Sequence, residues 1–270
     1  MPELPEVETL RRSLLAHVVG SAVLKVDVRE RRLRRPLDAN LERFLPGRTF
    51  TGIGRRGKYL LFEIDDGQTL LVHLGMSGHL AVRPALADSV AHDHVRIELS
   101  SGSALVFNDP RRFGLMRVGR IPELEELRNV GCDPLLEQWP LETWRRVTKE
   151  RRMPIKNFLM DQRLIAGIGN IYANEMLYEA GIRPRRRASR LRLAELQRLS
   201  EAMQAVLREA VRLGGSSISD YRDADGQRGY FQMRHAVYDR ADQPCRRCTT
   251  IIRRIVLSGR STFYCPSCQK

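Results

Sequence analysis

Four cysteines near the C-terminus constrain this chain more than any other feature. Cys245 and Cys248 form one Cys-x-x-Cys pair, Cys265 and Cys268 a second, with sixteen residues between them. Paired knuckles at this spacing, joined by runs such as IIRRIV and STFYC that suit a short hairpin, close around one tetrahedral Zn²⁺. A redox dithiol would need a single pair in a thioredoxin-like setting. Four thiolates fill the coordination sphere, so one structural Zn²⁺ is expected, holding the fold and taking no part in chemistry. The fifth cysteine, Cys132, stands apart and reads as a small buried apolar group.

In a reducing compartment four such cysteines read as metal ligands rather than disulfides. The opening MPELPEVETL lacks the basic-then-apolar order of a signal peptide, and no run of about 18 apolar residues occurs. A cytoplasmic protein with no membrane partner is therefore expected. Its net charge of +14 suits something that meets a polyanion and displaces counterions. Only five of the 46 basic residues are lysines (Lys25, Lys58, Lys149, Lys156 and Lys270), which marks Lys58 and Lys156, both inside motifs, as places where a compact ammonium with a movable pKa serves better than a planar guanidinium.

Along the chain, Leu4, Val7, Leu10, Leu14, Leu15 and Val18 recur at helical spacing, so residues 3 to 18 read as a helix, with Pro2 and Pro5 at its start. From about 22 to 118 the pattern turns to β, with KYLLFEI and TLLVHLGM joined across Asp65–Gln68, and HVRIEL and ALVFN joined across Ser100–Ser103. An antiparallel sandwich or barrel follows. Beyond Pro122 helical periods take over in LETWRRVTKE, PIKNFLM, NIYANEMLYEA and AELQRLSEAMQAVLREAVRL, placing a boundary near 120 to 135. Residues 216 to 229, rich in Ser, Asp and Gly, read as a long surface loop that could act as a lid. Arg253, Arg254 and Arg260 lie in the hairpin between the thiolate knuckles, suited either to phosphates or to a solvated basic face.

The amino terminus suggests a reaction. Met1 precedes a small residue, so its removal is expected, exposing Pro2 as a secondary amine at the positive end of a helix, where the neutral, nucleophilic form is favoured. Such an amine attacking a sugar C1′ gives a cationic iminium, an electron sink that acidifies the neighbouring C–H and invites β-elimination. Glu3 and Glu6 at the same helix end could shuttle protons, though carboxylates in a first turn commonly do no more than complement the helix dipole.

PELPEVET at the start, GKYL around Lys58, HLGMSG at 73 to 78, NDPRRFG at 108 to 114, GIGNIYANE at 167 to 175, GYFQ at 229 to 232 and GRSTFYCPSCQK at the end resemble the formamidopyrimidine-DNA glycosylase family in order and spacing, from first residue to last. The resemblance implies an α+β fold. Its parts would be an N-terminal antiparallel β-sandwich with flanking helices (1–125), a helix-two-turn-helix domain (126–235) with a lesion-capping loop at 216–229, a zinc-ribbon hairpin (236–270), and a DNA cleft between the halves. It further implies Pro2 as Schiff-base nucleophile, Glu3 as acid/base with Glu6 in support, Lys58 as proton donor in β-elimination and Arg260 in δ-elimination. His92, Arg111 and Arg152 match DNA-binding positions, Arg152 replacing a residue often written as Lys; phosphate contact survives that change. Lys156 and Asn170 resemble phosphate contacts, and Met76, Arg111 and Phe113 the side chains that fill the gap left by an everted nucleotide, recovering part of the few kcal/mol that extraction costs.

The implied partner is double-stranded DNA with oxidised bases or abasic sites, met by a monomer in the cytoplasm of a bacterium, at its nucleoid. Two other readings stand beside this one. An endonuclease VIII-type glycosylase for oxidised pyrimidines would share the proline, helix-two-turn-helix and zinc finger; Met76, DPRRFG and the long loop favour the purine enzyme. A non-catalytic damage-binding protein on the same scaffold would have no need of Pro2, Glu3, Lys58 and Arg260 together.

Overall fold

A computed structural model describes residues 1–38, 40–216, 224 and 226–270. The chain divides into two compact units, Met1–Asn129 with Leu213–Tyr230, and Val130–Arg212 with Phe231–Lys270. The three-part sequence division at 1–125, 126–235 and 236–270 follows motif order, whereas these units follow packing. Most of the sequence-predicted capping loop, namely residues 217–223 and 225, lies outside the described residues.

In the first unit, α1 (Leu4–Val18) begins one residue after Glu3. Its apolar positions fall every three or four residues, which gathers Leu4, Val7, Leu10, Leu14 and Val18 on one fully buried stripe. Each such side chain contributes about 1.5–3 kcal/mol by leaving water. Gly20, at φ +82°, turns the chain out of the helix and donates its N–H to Phe50 O at 2.8 Å.

Two antiparallel four-stranded sheets follow. One has the order β1 (Val23–Val28), β6 (Asp93–Leu99), β7 (Ser103–Asn108), β5 (His79–Pro84). The other runs β2 (Phe50–Arg56), β3 (Tyr59–Ile64), β4 (Thr69–His73), β8 (Leu115–Gly119). Both sequence-predicted hairpins form, with Leu60 opposite Val72 in one and Ile97 opposite Leu105 in the other. Alternate residues of both sheets, including Ile53, Phe62, Val72, Val95, Ile97 and Phe107, join the α1 stripe in one core.

One strand is shorter than its pattern suggests. TLLVHLGM alternates through Met76, but β4 ends at His73, because Gly75 takes φ +66° and Gly78 N–H closes a turn on Leu74 O at 3.0 Å. Met76 therefore sits on an exposed turn rather than in a sheet.

The second unit is helical, with α4 (Leu141–Lys149), α5 (Ile155–Met160), α6 (Asn170–Glu179) and the 20-residue α7 (Leu193–Arg212). Earlier in the chain lie the short α2 (Leu41–Phe44) and α3 (Glu125–Arg128) of the first unit. Trp144, Phe158, Tyr172 and Leu199 are buried among the helices. The C-terminal hairpin of β9 (Arg253–Leu257) and β10 (Arg260–Tyr264) is antiparallel, and Tyr178, Val237, Ile252 and Phe263 pack beside its cysteines. Cys132, read as buried, is partly exposed; a bridge to Ile165 sets its backbone, and its thiol points at Glu137 O at 3.4 Å.

Candidate active site

The first unit places its N-terminus among opposed charges. Glu3 N–H donates to Glu6 Oε2 at 2.8 Å while the Glu3 carboxylate accepts from the third residue of the helix, a reciprocal capping box that fixes both acids at the positive end of α1. Both are buried, at 3% and 2% exposure. The other Glu6 oxygen accepts from Ser216 N–H at 2.7 Å. Gly215 makes this approach possible, since a Cβ there would lie 2.8 Å from Glu6 Oε1. The terminal amine, here that of Met1, is pushed below its ordinary value by burial; Glu3 and Glu6 oppose the shift, and Lys58 and Arg111 add to it. Pro2, the next residue, is half-buried.

Lys58 reaches this neighbourhood through a device that neither composition nor motif suggests. Gly57, at φ +58°, makes the tight turn between β2 and β3. Arg55, buried at the end of β2, donates Nε to Glu8 Oε2 of α1 at 3.0 Å and a terminal nitrogen to Gly57 O at 3.1 Å. One guanidinium thus ties the turn preceding Lys58 to the helix carrying Glu3 and Glu6. Burial would raise the Glu8 carboxyl, but hydrogen bonds from Arg11, Arg12 and Arg55 outweigh it and hold the pKa at about 2. Lys58 is itself 6% exposed.

A second group of loops presents Met76, His92, Arg111 and Phe113. Met76 and Phe113 are large apolar side chains at 45% and 43% exposure, and the Arg111 guanidinium stands 4.8 Å over the Phe113 ring. The loops that carry them converge on Asp109, which is fully buried. Its Oδ1 accepts from Ser77 Oγ at 2.6 Å and its Oδ2 from Gly114 N–H at 2.7 Å. Ser77 Oγ in turn accepts from Arg111 N–H at 3.2 Å, and Asp109 N–H donates to His92 O at 3.1 Å. Gly75 closes the arrangement, because a Cβ there would lie 2.4 Å from the Phe113 carbonyl carbon. His73, another residue outside the sequence-predicted set, accepts from Gly75 N–H on Nδ1 at 3.0 Å; burial, with Lys58 and Arg34, lowers its pKa to about 4. Asp109, Ser77 and His73 lie inside the quoted motifs, yet none is among the sequence-predicted site residues. The signal that could have found them is a carboxylate flanked by loops that must hold exposed apolar tips.

The second unit holds the remaining predicted residues. Arg152 and Arg260 are exposed. Lys156 is not: it is 1% exposed, and its ammonium donates to Thr262 Oγ1 at 2.6 Å and Ser261 O at 3.1 Å. Its ammonium faces the hairpin backbone inside the unit. Asn170, first residue of α6 behind the Gly169 cap, donates Nδ2 to the same Ser261 O at 3.0 Å, and its buried Oδ1 has no partner among the described residues. Asn157 reaches Ser258 Oγ at 2.6 Å, and Asn174 Oδ1 accepts from Phe263 N–H at 2.9 Å. Four side chains from two helices thereby hold the turn from which Arg260 projects.

The four thiols converge as the spacing requires. Their sulfurs all lie within 4.8 Å of one another, with Cys245–Cys268 at 3.8 Å and Cys248–Cys265 at 3.5 Å. Sulfurs about 3.8 Å apart are what a tetrahedron with Zn–S bonds of about 2.3 Å demands. Tyr178 of α6 places its hydroxyl 3.2 Å from Cys245 Sγ, a hydrogen bond that orients a ligand from outside the ribbon.

Comparison with known proteins agrees with this geometry. Family models match for the formamidopyrimidine-DNA glycosylase N-terminal domain over residues 1–116, its H2TH domain over 130–222, and the zinc finger found in FPG and IleRS over 242–270. The last match and the sulfur cluster make the four cysteines one structural zinc site. Formamidopyrimidine-DNA glycosylases of Beijerinckia indica and Hahella chejuensis are 46% and 43% identical, each comparison covering 100% of both chains. The crystal structure of the MutM (FPG) protein of Thermus thermophilus superposes with a TM-score of 0.89 at 41% identity, over 99% of this chain and 98% of that one. A Lactococcus lactis FPG mutant bound to Fapy-dG containing DNA superposes with a TM-score of 0.93 at 34% identity, over 100% of both. On full-length identity, three matching domain models and a shared structure, the chain belongs to the formamidopyrimidine-DNA glycosylase family.

Proposed function

We propose that the protein is a bifunctional DNA glycosylase and AP lyase of base-excision repair, acting on oxidised purines such as 8-oxoguanine and formamidopyrimidines. The observation that carries this reading is the capping box that fixes the buried carboxylates of Glu3 and Glu6 at the start of α1, next to the N-terminus. Relatives in complex with Fapy-dG and abasic-site DNA support the substrate class.

After loss of Met1, the neutral Pro2 nitrogen attacks C1′ of the damaged nucleotide. The C1′–base bond breaks, its electron pair leaves with the base nitrogen, and the base takes up a proton. The attacking nitrogen, an ammonium once bonded to C1′, gives up its N–H proton; Glu3 then delivers a proton to the sugar ring oxygen, so that the ring opens and the recovered nitrogen lone pair forms the iminium. The iminium acidifies C2′–H; loss of that proton expels the 3′ phosphate, with Lys58 supplying a positive donor to the charge that develops. A second elimination expels the 5′ phosphate, a step assigned to Arg260. Glu6 keeps Glu3 in place through the capping box. Met76, Arg111 and Phe113 occupy the space of the everted nucleotide, and His92, Arg152 and Asn170 contact phosphates, which puts the protein at work on the chromosomal DNA of the nucleoid. The zinc ion crosslinks the hairpin and takes no part in these steps.

Borohydride trapping on a duplex with 8-oxoguanine opposite cytosine tests the proposal, the adduct being located by mass spectrometry of the N-terminal peptide. A covalent adduct on Pro2 is expected, and loss of it in Pro2→Gly with DNA binding retained. If a sample shown to lack Met1 traps neither this duplex nor one with an oxidised pyrimidine, the protein binds damage without processing it.

A further inference from the structure

The second unit carries a cationic surface that the lesion chemistry does not use. Residues 151–155 run antiparallel to 184–189: Ser189 N–H donates to Arg151 O and Ala188 N–H to Met153 O, both at 3.0 Å, and Ile155 N–H to Arg186 O at 2.7 Å. Pro154 and Arg187 form the bridge between them. The last two turns of α4 lie alongside, where Arg145 and Lys149, with Ser189, Leu191 and Leu193, line a shallow depression of about 190 Å³. Arg145, Lys149, Arg151, Arg187, Arg190 and Arg192 are all exposed, and none of these six side chains makes a hydrogen bond or ion pair among the described residues.

The contrast with their neighbours is informative. Arg186, in the same run, is bound by Glu195 at 2.5 and 2.9 Å, and Arg183 by the carbonyls of Pro266 and Gln269, both at 3.0 Å. The structure therefore neutralises or anchors the arginines that hold its own loops together and leaves the outer ones without a hydrogen-bonded or ion-paired partner among the described residues. Glu142 and Glu150 of α4 and its C-terminal cap share the stretch, so the balance remains strongly positive. Cations held close together on paired backbone and a helix repel one another, a cost that a polyanion removes. Arginine heads, with their planar fork, suit phosphate oxygens. The surface is continuous along the chain with Arg152, already assigned to phosphate contact.

We propose that this belt is an auxiliary phosphate-binding surface that engages duplex DNA flanking the lesion site. It lengthens the footprint and strengthens lesion-independent binding while leaving the chemistry unchanged. The inference rests on the DNA-repair reading for its partner. Each phosphate neutralised releases counterions, so the belt contributes to the salt dependence of binding in proportion to the contacts it makes.

The test compares the wild type with Arg145→Ala/Lys149→Ala/Arg187→Ala/Arg190→Ala on undamaged duplexes of about 12 and 30 base pairs, between about 50 and 200 mM salt. On the long duplex we expect the slope of log K against log salt to fall by about 0.9 for each lost contact, and affinity to drop at least tenfold near the lower salt. On the short duplex both should change little, as should single-turnover cleavage of an 8-oxoguanine duplex of the same length. Arg145→Glu/Lys149→Glu, confined to the surface of α4, should move the long-duplex slope in the same direction and guards against a fold defect at the Arg187 bridge. Unchanged slopes on the long duplex in both variants overturn the proposal. So does equal weakening on both lengths, which would place these residues in the lesion-site footprint, or a loss confined to double-stranded RNA of the same length. A wild type that binds no duplex would instead sink the DNA-repair reading itself.

Discussion

Asp109 shows how much one buried carboxylate organises. It is fully buried, yet it bonds to both loops that carry exposed apolar tips, through Ser77 on one side and the Gly114 N–H on the other. Its two oxygens are both acceptors, which an amide cannot reproduce. Asp109→Asn should destabilise the first unit by about 1–3 kcal/mol, the penalty for a buried donor left unmatched. Because Met76, Arg111 and Phe113 lose their common support, single-turnover excision from duplex DNA should fall about tenfold or more, which is about 1.4 kcal/mol of transition-state stabilisation. Affinity for an abasic-site duplex should change less. Excision at the wild-type rate per folded molecule would mean that the loops hold their tips without Asp109.

At the scale of elements, α1 and the β2–β3 turn act as one piece. The Glu8–Arg55 pair, with side-chain exposures of 8% and 2%, joins them across 47 residues of sequence. Truncating one partner of such a pair leaves a buried charge behind, with a loss of about 3–5 kcal/mol; Arg11 and Arg12 still face Glu8, so Arg55→Met should fall at the low end. The same change removes the Arg55 hydrogen bond to Gly57 O and loosens the turn that precedes Lys58. Strand cleavage at a preformed abasic site should therefore slow more in Arg55→Met than in an Arg11→Met control, both compared per folded molecule. Equal rates in the two variants would show that the turn keeps Lys58 in place by itself.

At the scale of the whole molecule, each unit contains a histidine that burial drives to a pKa of about 4, His73 in the first and His235 in the second. An unfolded chain titrates such a side chain near about 6.5. Between these values the unfolded state binds more protons, so stability is fully present above about pH 6.5, declines as the pH falls, and levels off below about 4. Glu8 acts in a lower window: its carboxyl at about 2 contributes stability that is lost from about 4.5 downward. Tm measured from about pH 7 to about pH 4 should fall steadily, and His73→Gln should flatten the decline for the first unit. A wild-type Tm that stays level across this range would contradict neutral burial of both histidines.

Which of these features the sequence reveals depends on how far apart in the chain the interacting residues lie. The helix capped by Glu3, the hairpins at Asp65–Gln68 and Ser100–Ser103 and the zinc knuckles rest on signals a few residues long: apolar period, turn chemistry, thiol spacing. The exposed tips Met76, Arg111 and Phe113 are equally legible, because the motifs that carry them are contiguous. Other features depend on distant partners. Lys156 sits in a motif suited to a phosphate ligand, but Ser261 and Thr262, more than a hundred residues away, take its ammonium. Glu8 has the local setting of an ordinary helix acid, and only folding brings Arg55 beside it. Whether a charged side chain faces solvent, a ligand or a buried partner is settled by which surfaces pack together, since burial decides if an unpaired charge is tolerable. Local pattern thus suffices for the elements and the zinc knuckles, while long-range packing decides which charged groups face solvent and which hold the others in place.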